Sequence, residues 1–496
     1  MSFAPTAQQA AFLSALTDTD NNLALIARAG CGKTSTILMG VDALVAANPA
    51  SEILICAFNK AIADEVGTKL KRAGHTNWRT VQTSTLHGLG LSLLKYPVPP
   101  KVDAKKVDLL IKAHNEPIYS LYRAQIKSLV GYAKGAAFGF FAQIGDKHAW
   151  YELADHFDVN NFEDTSDMDA VIEAAQLVYR ESLDQTDVID FDDMILFPLV
   201  KNLRVRFGKD VIFVDEAQDL SPARQALIRK FIKPHTGRMI IVGDDRQAIY
   251  GFSGADAKAL PNMVEALDAT VLPLSVTWRC PKAVVEVAQR FVPDIEAAPE
   301  APEGEVLYLD ALPDDLGVGD AVLCRNTAPL IDLAYSLIRQ GKAAFVEGRA
   351  IGEGLKQLAR RWKITTTAAL VLKLEVYKDR EIQKAMAKGN DHKVIEIEDR
   401  VETMHHIIAA TNAAGRTSID DVVQFIDNLF ADDVKAGIVL ATYHRSKGRE
   451  WHRVFLYDHG QRCPAKGAKQ AWQKQQEANL AYVAITRAQQ TLAFVG

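Results

Sequence analysis

The chain has 496 residues, of which 48% are hydrophobic and 24% charged, the balance of an ordinary soluble globular protein. That length implies two to four compact units, and no stretch approaches the roughly 20 apolar residues of a membrane span. A net charge of -5 argues against a globally basic nucleic-acid binder, although a local positive groove can coexist with an acidic exterior.

The N-terminus, MSFAPTAQQAAF, lacks the basic start and apolar run of a secretory signal, so a cytoplasmic location is expected. Asn22 to Ala27 reads as a short buried strand and Lys33 to Ala47 as a helix, with Gly30 and Gly32 at the turn between them. Continuous apolar runs at Glu52–Phe58, Asp210–Glu216 and Arg238–Asp244 suit a parallel sheet buried on both faces. A second strand set follows at Glu305–Asp310, Asp320–Arg325, Gly437–Thr442, Arg453–Asp458 and the terminal TLAFVG. Two α/β cores are expected.

Helix-rich stretches interrupt both sets, one at about Leu91 to Asp184 and one at Ile351 to Asp433. The predicted division is a first lobe of residues 1–90 and 185–265 holding an insertion, 91–184. A second lobe of residues 266–350 and 434–496 holds a smaller insertion, 351–433. Apolar spacings of three and four mark amphipathic helices in that insertion, and its basic residues from Lys356 to Lys393 suit a solvated face or a nucleic-acid contact. The five cysteines, Cys31, Cys56, Cys280, Cys324 and Cys463, are odd in number and never in C-x-x-C spacing, so reduced thiols are expected, with no disulfide framework and no structural zinc.

Ala27-Arg28-Ala29-Gly30-Cys31-Gly32-Lys33-Thr34 fits the Walker A phosphate loop except that Ala27 replaces the first glycine. Backbone N–H groups around Ala29, Gly30, Cys31 and Gly32 can cradle phosphates, and the following helix N-terminus adds positive potential. Lys33 would neutralise the outer phosphates and Thr34 would ligate Mg²⁺. Such a site needs a carboxylate on a neighbouring strand, which Asp215 and Glu216 supply at the end of the run Val211–Val214. Asp215 would hold the metal's water shell; Glu216 could accept a proton from the attacking water.

DEAQD (Asp215 to Asp219) and VGDDRQAIYGFSGAD (Val242 to Asp256) resemble the superfamily 1 helicases of the UvrD/Rep/PcrA group. The resemblance runs nearly end to end, in the family's order, through PTAQQ, AFNKA, TLHG, DFDDM, TWRCP, TYHRSKGREW and AYVAITRA. It implies two RecA-like P-loop domains with parallel sheets, each interrupted by a mostly helical insertion. It further implies ATP and Mg²⁺ in a cleft, with Gln9 and Ser35 near the adenine, Trp278 stacked on its ring and Glu450 near the ribose. Gln247 would sense the γ-phosphate, and Arg279 and Arg487 would act as arginine fingers from the second lobe. Phe58, Asn59, Tyr250 and Phe252 would meet single-stranded DNA, the aromatics by sequence-blind stacking. His87, Arg325, Thr442 and His444 would contact its backbone.

Phe252 replaces the family's usual tryptophan, Ser253 its usual arginine and Ser35 another arginine, while Asn326 stands one place early. What the resemblance implies is a 3′ to 5′ helicase acting at single-strand/duplex junctions, with a single-strand-binding protein or replication and repair proteins as candidate partners. Rival readings are a translocase that strips proteins without unwinding, a nuclease-linked subunit and a non-motor nucleotide-binding scaffold.

Overall fold

The computed structural model describes residues 4–57, 59–75, 77, 80–95, 98–157, 159, 165–251, 254, 256, 258–387, 391–430, 437–468 and 470–496. The chain divides into two compact lobes, Met1–Ser275 and Val276–Gly496. Each is built on a six-stranded sheet whose neighbouring strands all run parallel.

In the first lobe the strands are β1 (Leu23–Ala27), β2 (Ile53–Ala57), β3 (Val81–Thr85), β4 (Val211–Val214), β5 (Arg238–Gly243) and β6 (Thr270–Leu274). They lie in the order β3-β2-β4-β5-β1-β6. Their apolar runs are continuous because alternate residues enter two different cores. Leu23, Leu25, Ile53, Ile55, Phe213, Ile240 and Val242 pack with Phe12, Leu16, Ile37 and Val41 on one face. Ala24, Leu54, Ile212, Val214, Met239 and Ile241 face the other, whose core continues into the first insertion through Ile126, Leu129, Trp150 and Tyr179.

A buried ionic cluster fastens that insertion. Lys106 donates to Asp193 Oδ2 (2.7 Å), and Lys134 to Asp190 Oδ2 (2.6 Å), with Asp193 Oδ1 also 2.7 Å from its ammonium. Asp190 and Asp193 cap the helix Phe191–Val200 reciprocally, so the DFDDM string is read locally as a capping box and globally as an anchor.

The second lobe holds β7 (Glu305–Leu309), β8 (Ala321–Cys324), β9 (Ala344–Val346), β10 (Ile438–Thr442), β11 (Trp451–Tyr457) and β12 (Ala488–Val495), in the order β7-β12-β11-β8-β10-β9. The second insertion's helices pack directly on this lobe: Val401, Met404 and Ile408 share one core with Leu330, Ile331 and Leu440. The Asp399 carboxylate accepts from Thr327 N and Ala328 N (3.1 and 3.0 Å), capping the helix Ala328–Arg339 from the insertion side.

One boundary differs from the sequence reading. Residues 266–275 were assigned to the second lobe, yet β6 pairs with β1 and closes the first sheet. The strand contains Pro273, which an edge position tolerates because its missing N–H would face away from the ladder. All five cysteines are buried, and none is joined in a disulfide. Among the described residues no helix is long and apolar enough to cross a membrane.

Candidate functional site

The sequence-predicted residues of the first lobe gather where its parallel strands end, the edge at which open α/β sheets bind ligands. After β1 the chain turns through Gly30 (φ 75°) and Gly32 (φ 81°), left-handed conformations that bring successive N–H groups to one side. Ala29 and Cys31 are buried beneath them, Thr34 is half-buried and Ser35 is exposed. Gln9 braces this loop: its Nε2 donates to Thr36 Oγ1 (3.0 Å) and its Oε1 accepts from Thr6 N (3.0 Å). In this form both ends of its amide serve the fold, and reading an adenine edge would require exchanging one of those bonds.

Lys33 Nζ donates to Glu216 Oε1 at 2.5 Å. Burial alone would lower the lysine's pKa, but Glu216, Asp215 and Asp244 outweigh it and hold the ammonium well above its usual range. Asp215 lies just past β4, anchored by its N–H to Cys56 O (3.0 Å). Glu216 adopts a left-handed conformation (φ 53°, ψ 43°), which costs a non-glycine residue of order 1 kcal/mol or more and marks an imposed orientation.

Four residues of the cluster, Arg28, Gln218, Gly243 and Asp244, carry no role in the sequence analysis. Gln218 donates its Nε2 to Glu216 Oε2, and its Oε1 accepts from Asp244 N (3.1 Å). A Cβ at Gly243 would stand 2.5 Å from that Oε1, so only glycine permits the approach. Asp244 is fully buried and accepts from Gln247 Nε2 (2.8 Å) and from Arg28 (2.9 Å). The signals were present in DEAQD and VGDDRQ, but spacing alone does not say that an intervening glutamine bridges the two strings.

Of the residues expected to meet DNA in this lobe, His87 lies beside the acidic strand end. His87 shares a small pocket with Ala57, Asp215 and Arg224. Burial, reinforced by Arg224, pushes its ring down to about 4. Phe191, 54% exposed, meets the His87 ring edge-on at 6.1 Å. The sequence reading quoted Phe191 only within DFDDM; an exposed aromatic at the first position of a capped helix was the available clue. Asn59 caps the helix Lys60–Arg72 through Ile62 N (2.9 Å), and Tyr250 is half-buried. Phe58, Phe252 and Ser253 lie outside the described residues.

In the second lobe the predicted residues separate to opposite ends of one sheet. Glu450 precedes β11 and Arg487 precedes its partner β12, where Trp451 pairs with Ala488. Arg279 Nε donates to Glu450 Oε2 (2.5 Å), Gln489 Nε2 to Glu450 Oε1 (3.0 Å), and Trp278 beside them is 56% exposed. Arg487 is 1% exposed and donates to Val483 O (2.7 Å), Arg449 O (3.2 Å) and Thr486 Oγ1 (2.9 Å), all of its own lobe. These bonds hold the guanidinium against the C-terminal end of the helix Ala471–Ile485, whose last carbonyls favour a cation.

At the other end Arg325 follows β8 and Thr442 closes β10, with Cys324 opposite Thr442. His444, two residues further, is half-buried. Arg325 grips the buried Glu477 through Nε (3.0 Å) and a terminal nitrogen (2.7 Å). A contact with a DNA backbone would have to draw it from that pair.

Fold and site define a P-loop protein with two RecA-like lobes and an acid-paired phosphate loop. The first lobe matches the family model for the UvrD/REP helicase N-terminal domain over residues 6–268, and the second that for the UvrD-like helicase C-terminal domain over residues 274–495. The chain belongs to the UvrD-like helicase family. It is 25% identical over 321 residues to DNA helicase IV of Escherichia coli, covering 56% of this chain and 46% of that protein. DNA helicase II of the same organism matches at 23% over 295 residues, 55% of this chain and 38% of that protein. F-box DNA helicase protein 1 of Schizosaccharomyces pombe matches at 23% over 517 residues, 94% of this chain and 54% of that protein. The chain therefore spans about half the length of these relatives, or less.

Proposed function

We propose that the protein is an ATP-driven motor that moves 3′ to 5′ along single-stranded DNA and separates duplexes. The observation that carries this reading is the continuous chain of contacts Lys33–Glu216–Gln218–Asp244–Gln247, which joins the phosphate-binding lysine, the general base and the γ-phosphate sensor in one hydrogen-bonded unit. Lys33 holds the outer phosphates, Glu216 takes the proton of the attacking water, and Gln247 registers whether the γ-phosphate is present. Thr34 and Asp215 would hold a magnesium ion, a hard cation suited to a hydroxyl, a carboxylate, phosphate oxygens and water, which would neutralise the phosphate charge.

Trp278 stacks on the adenine, and Arg279 and Arg487 stabilise charge on the transferring phosphoryl group, Arg487 after leaving its present partners. Single-stranded DNA lies along the strand ends that carry His87, Tyr250, Arg325, Thr442 and His444, with Phe191 as an added stacking ring. The polarity rests on the QAIYGF string, Gln247 to Phe252, which resembles the 3′ to 5′ branch of the family.

The deciding experiment is unwinding of matched duplexes with 3′, 5′ or blunt ends, with and without ATP. ATP-dependent opening of the 3′-tailed substrate is expected. Opening of 5′-tailed duplexes alone would refute the polarity. A second reading, a translocase that strips bound proteins without opening duplexes, is favoured by the small second insertion packed tightly on its own lobe. Protein displacement without unwinding of a forked duplex would establish it.

A further inference from the structure

Arg28 occupies a position of the phosphate loop where any residue satisfies the motif. Its guanidinium is nevertheless committed: a terminal nitrogen lies 2.9 Å from Asp244 Oδ1 and 2.6 Å from Asp245 Oδ1, and only 11% of the side chain is exposed. The strand register explains the reach. β1 and β5 run parallel with Ile26 opposite Gly243, so two residues further on Arg28 comes level with Asp244 and Asp245. Arg28 N also donates to Leu274 O (2.9 Å), which fixes its backbone against the end of β6.

Asp244 accepts from Arg28 on Oδ1 and from Gln247 Nε2 on Oδ2 (2.8 Å), while Arg246 N reaches Oδ1 at 3.1 Å. A carboxylate this deeply buried needs a cation beside it to stay ionised and keep every lone pair available. Burial pushes the Asp244 carboxyl up, and Arg28 is the strongest of the neighbours that oppose the rise.

We propose that Arg28 is a positioning residue for ATP hydrolysis: acting through Asp244, it fixes the amide plane of Gln247, so that the phosphate loop sets its own γ-phosphate sensor. This rests on Gln247 being that sensor. One terminal nitrogen of the rigid, planar guanidinium meets both carboxylates, an orientation that the more flexible lysine side chain holds less firmly.

The test compares the wild-type chain with Arg28→Met, Arg28→Lys, Gln247→Ala, the double variant R28M/Q247A and Lys33→Ala. It reads ATPase kcat at saturating single-stranded DNA, affinity for a fluorescent ADP analogue and melting temperature. R28M is expected to lower kcat about 10- to 100-fold with ADP affinity little changed, and to lower the melting temperature because the buried Asp244 loses its cation. R28K should recover part of the loss, and R28M/Q247A should be no slower than Q247A alone. Wild-type kcat in R28M, a parallel loss of kcat and affinity, or multiplying R28M and Q247A effects would overturn the proposal. Should R28M not fold, R28K carries the test: kcat several-fold lower at unchanged affinity is expected, and wild-type kcat overturns it. Undiminished turnover in K33A would instead refute the nucleotide-site reading itself, a separate result.

Discussion

Lys33 and Glu216 are joined at 2.5 Å although 183 residues separate them, so the cation proposed to bind phosphate is held by the carboxylate proposed as the base. Incoming phosphates must compete with Glu216 for that cation. Glu216→Gln is therefore expected to act in two directions. Hydrolysis should fall by about 10²- to 10⁴-fold, the range for losing a general base. Nucleotide affinity should rise, because the amide holds the ammonium less strongly. A fluorescent-nucleotide titration beside steady-state ATPase checks both; weaker binding in E216Q would refute the competition.

Trp278 leaves 56% of its surface to solvent beside the Arg279–Glu450 pair, an exposure that burial of a core does not explain. If it stacks on the adenine, Trp278→Ala should raise the KM for ATP by roughly tenfold, since an aromatic stack contributes about 0.5 to 1.5 kcal/mol beyond area burial. Melting should barely move. An unchanged KM would remove Trp278 from the nucleotide site.

His87 gives the first lobe an acid-sensitive element. Its ring titrates at about 4 in the fold and near 6.5 when unfolded. Between those values the unfolded chain binds more protons, so stability rises with pH and is lost as pH falls from 6.5 toward 4. At pH 5 the loss is about 2 kcal/mol at most, less whatever solvent screens. Urea unfolding at pH 7 and pH 5 should show that difference shrink in His87→Gln; an identical pH dependence would exclude the histidine as its source.

Arg325 and Glu477 couple the second lobe's stability to its proposed DNA contact. Arg325→Ala leaves Glu477, whose side chain is 4% exposed, without its cation and should cost about 3–5 kcal/mol. Glu477→Gln frees the guanidinium instead. Single-stranded DNA should then bind more tightly, with a salt dependence steeper by about one phosphate contact. Melting curves and binding isotherms at two salt concentrations decide the matter, and weaker binding in E477Q would place Arg325 outside the DNA path.

Long apolar strands and the glycine turn were plain in the sequence because their signals are local. Leu23–Ala27, Arg238–Gly243 and Ile438–Thr442 are continuous apolar runs buried from both sides. Val81–Thr85 was missed because an edge strand can read VQTST, and Thr270–Leu274 because Pro273 argues against a strand unless its edge position is known. The members of the site were legible wherever a motif names them: Lys33, Asp215 and Glu216 do come together. The site was illegible where a role is created by the meeting of distant segments: Gln218 bridging two strings, Arg325 neutralised by Glu477, Arg487 turned inward. Such partners are set by strand register, which no spacing rule reports.

The second sheet keeps Glu450 and Arg487 at the starts of its strands and Arg325 and Thr442 at the finishes of theirs. The seven residues of β11 span roughly 20 Å, too far for any side chain to hand a signal across. On the proposed function, a change at the nucleotide end would reach the DNA end as tilt of the whole sheet, with the strands as the arm of a lever. Leu440 and Phe455 lie buried midway along it, and on that reading softening them would blunt the gearing while leaving both grips intact.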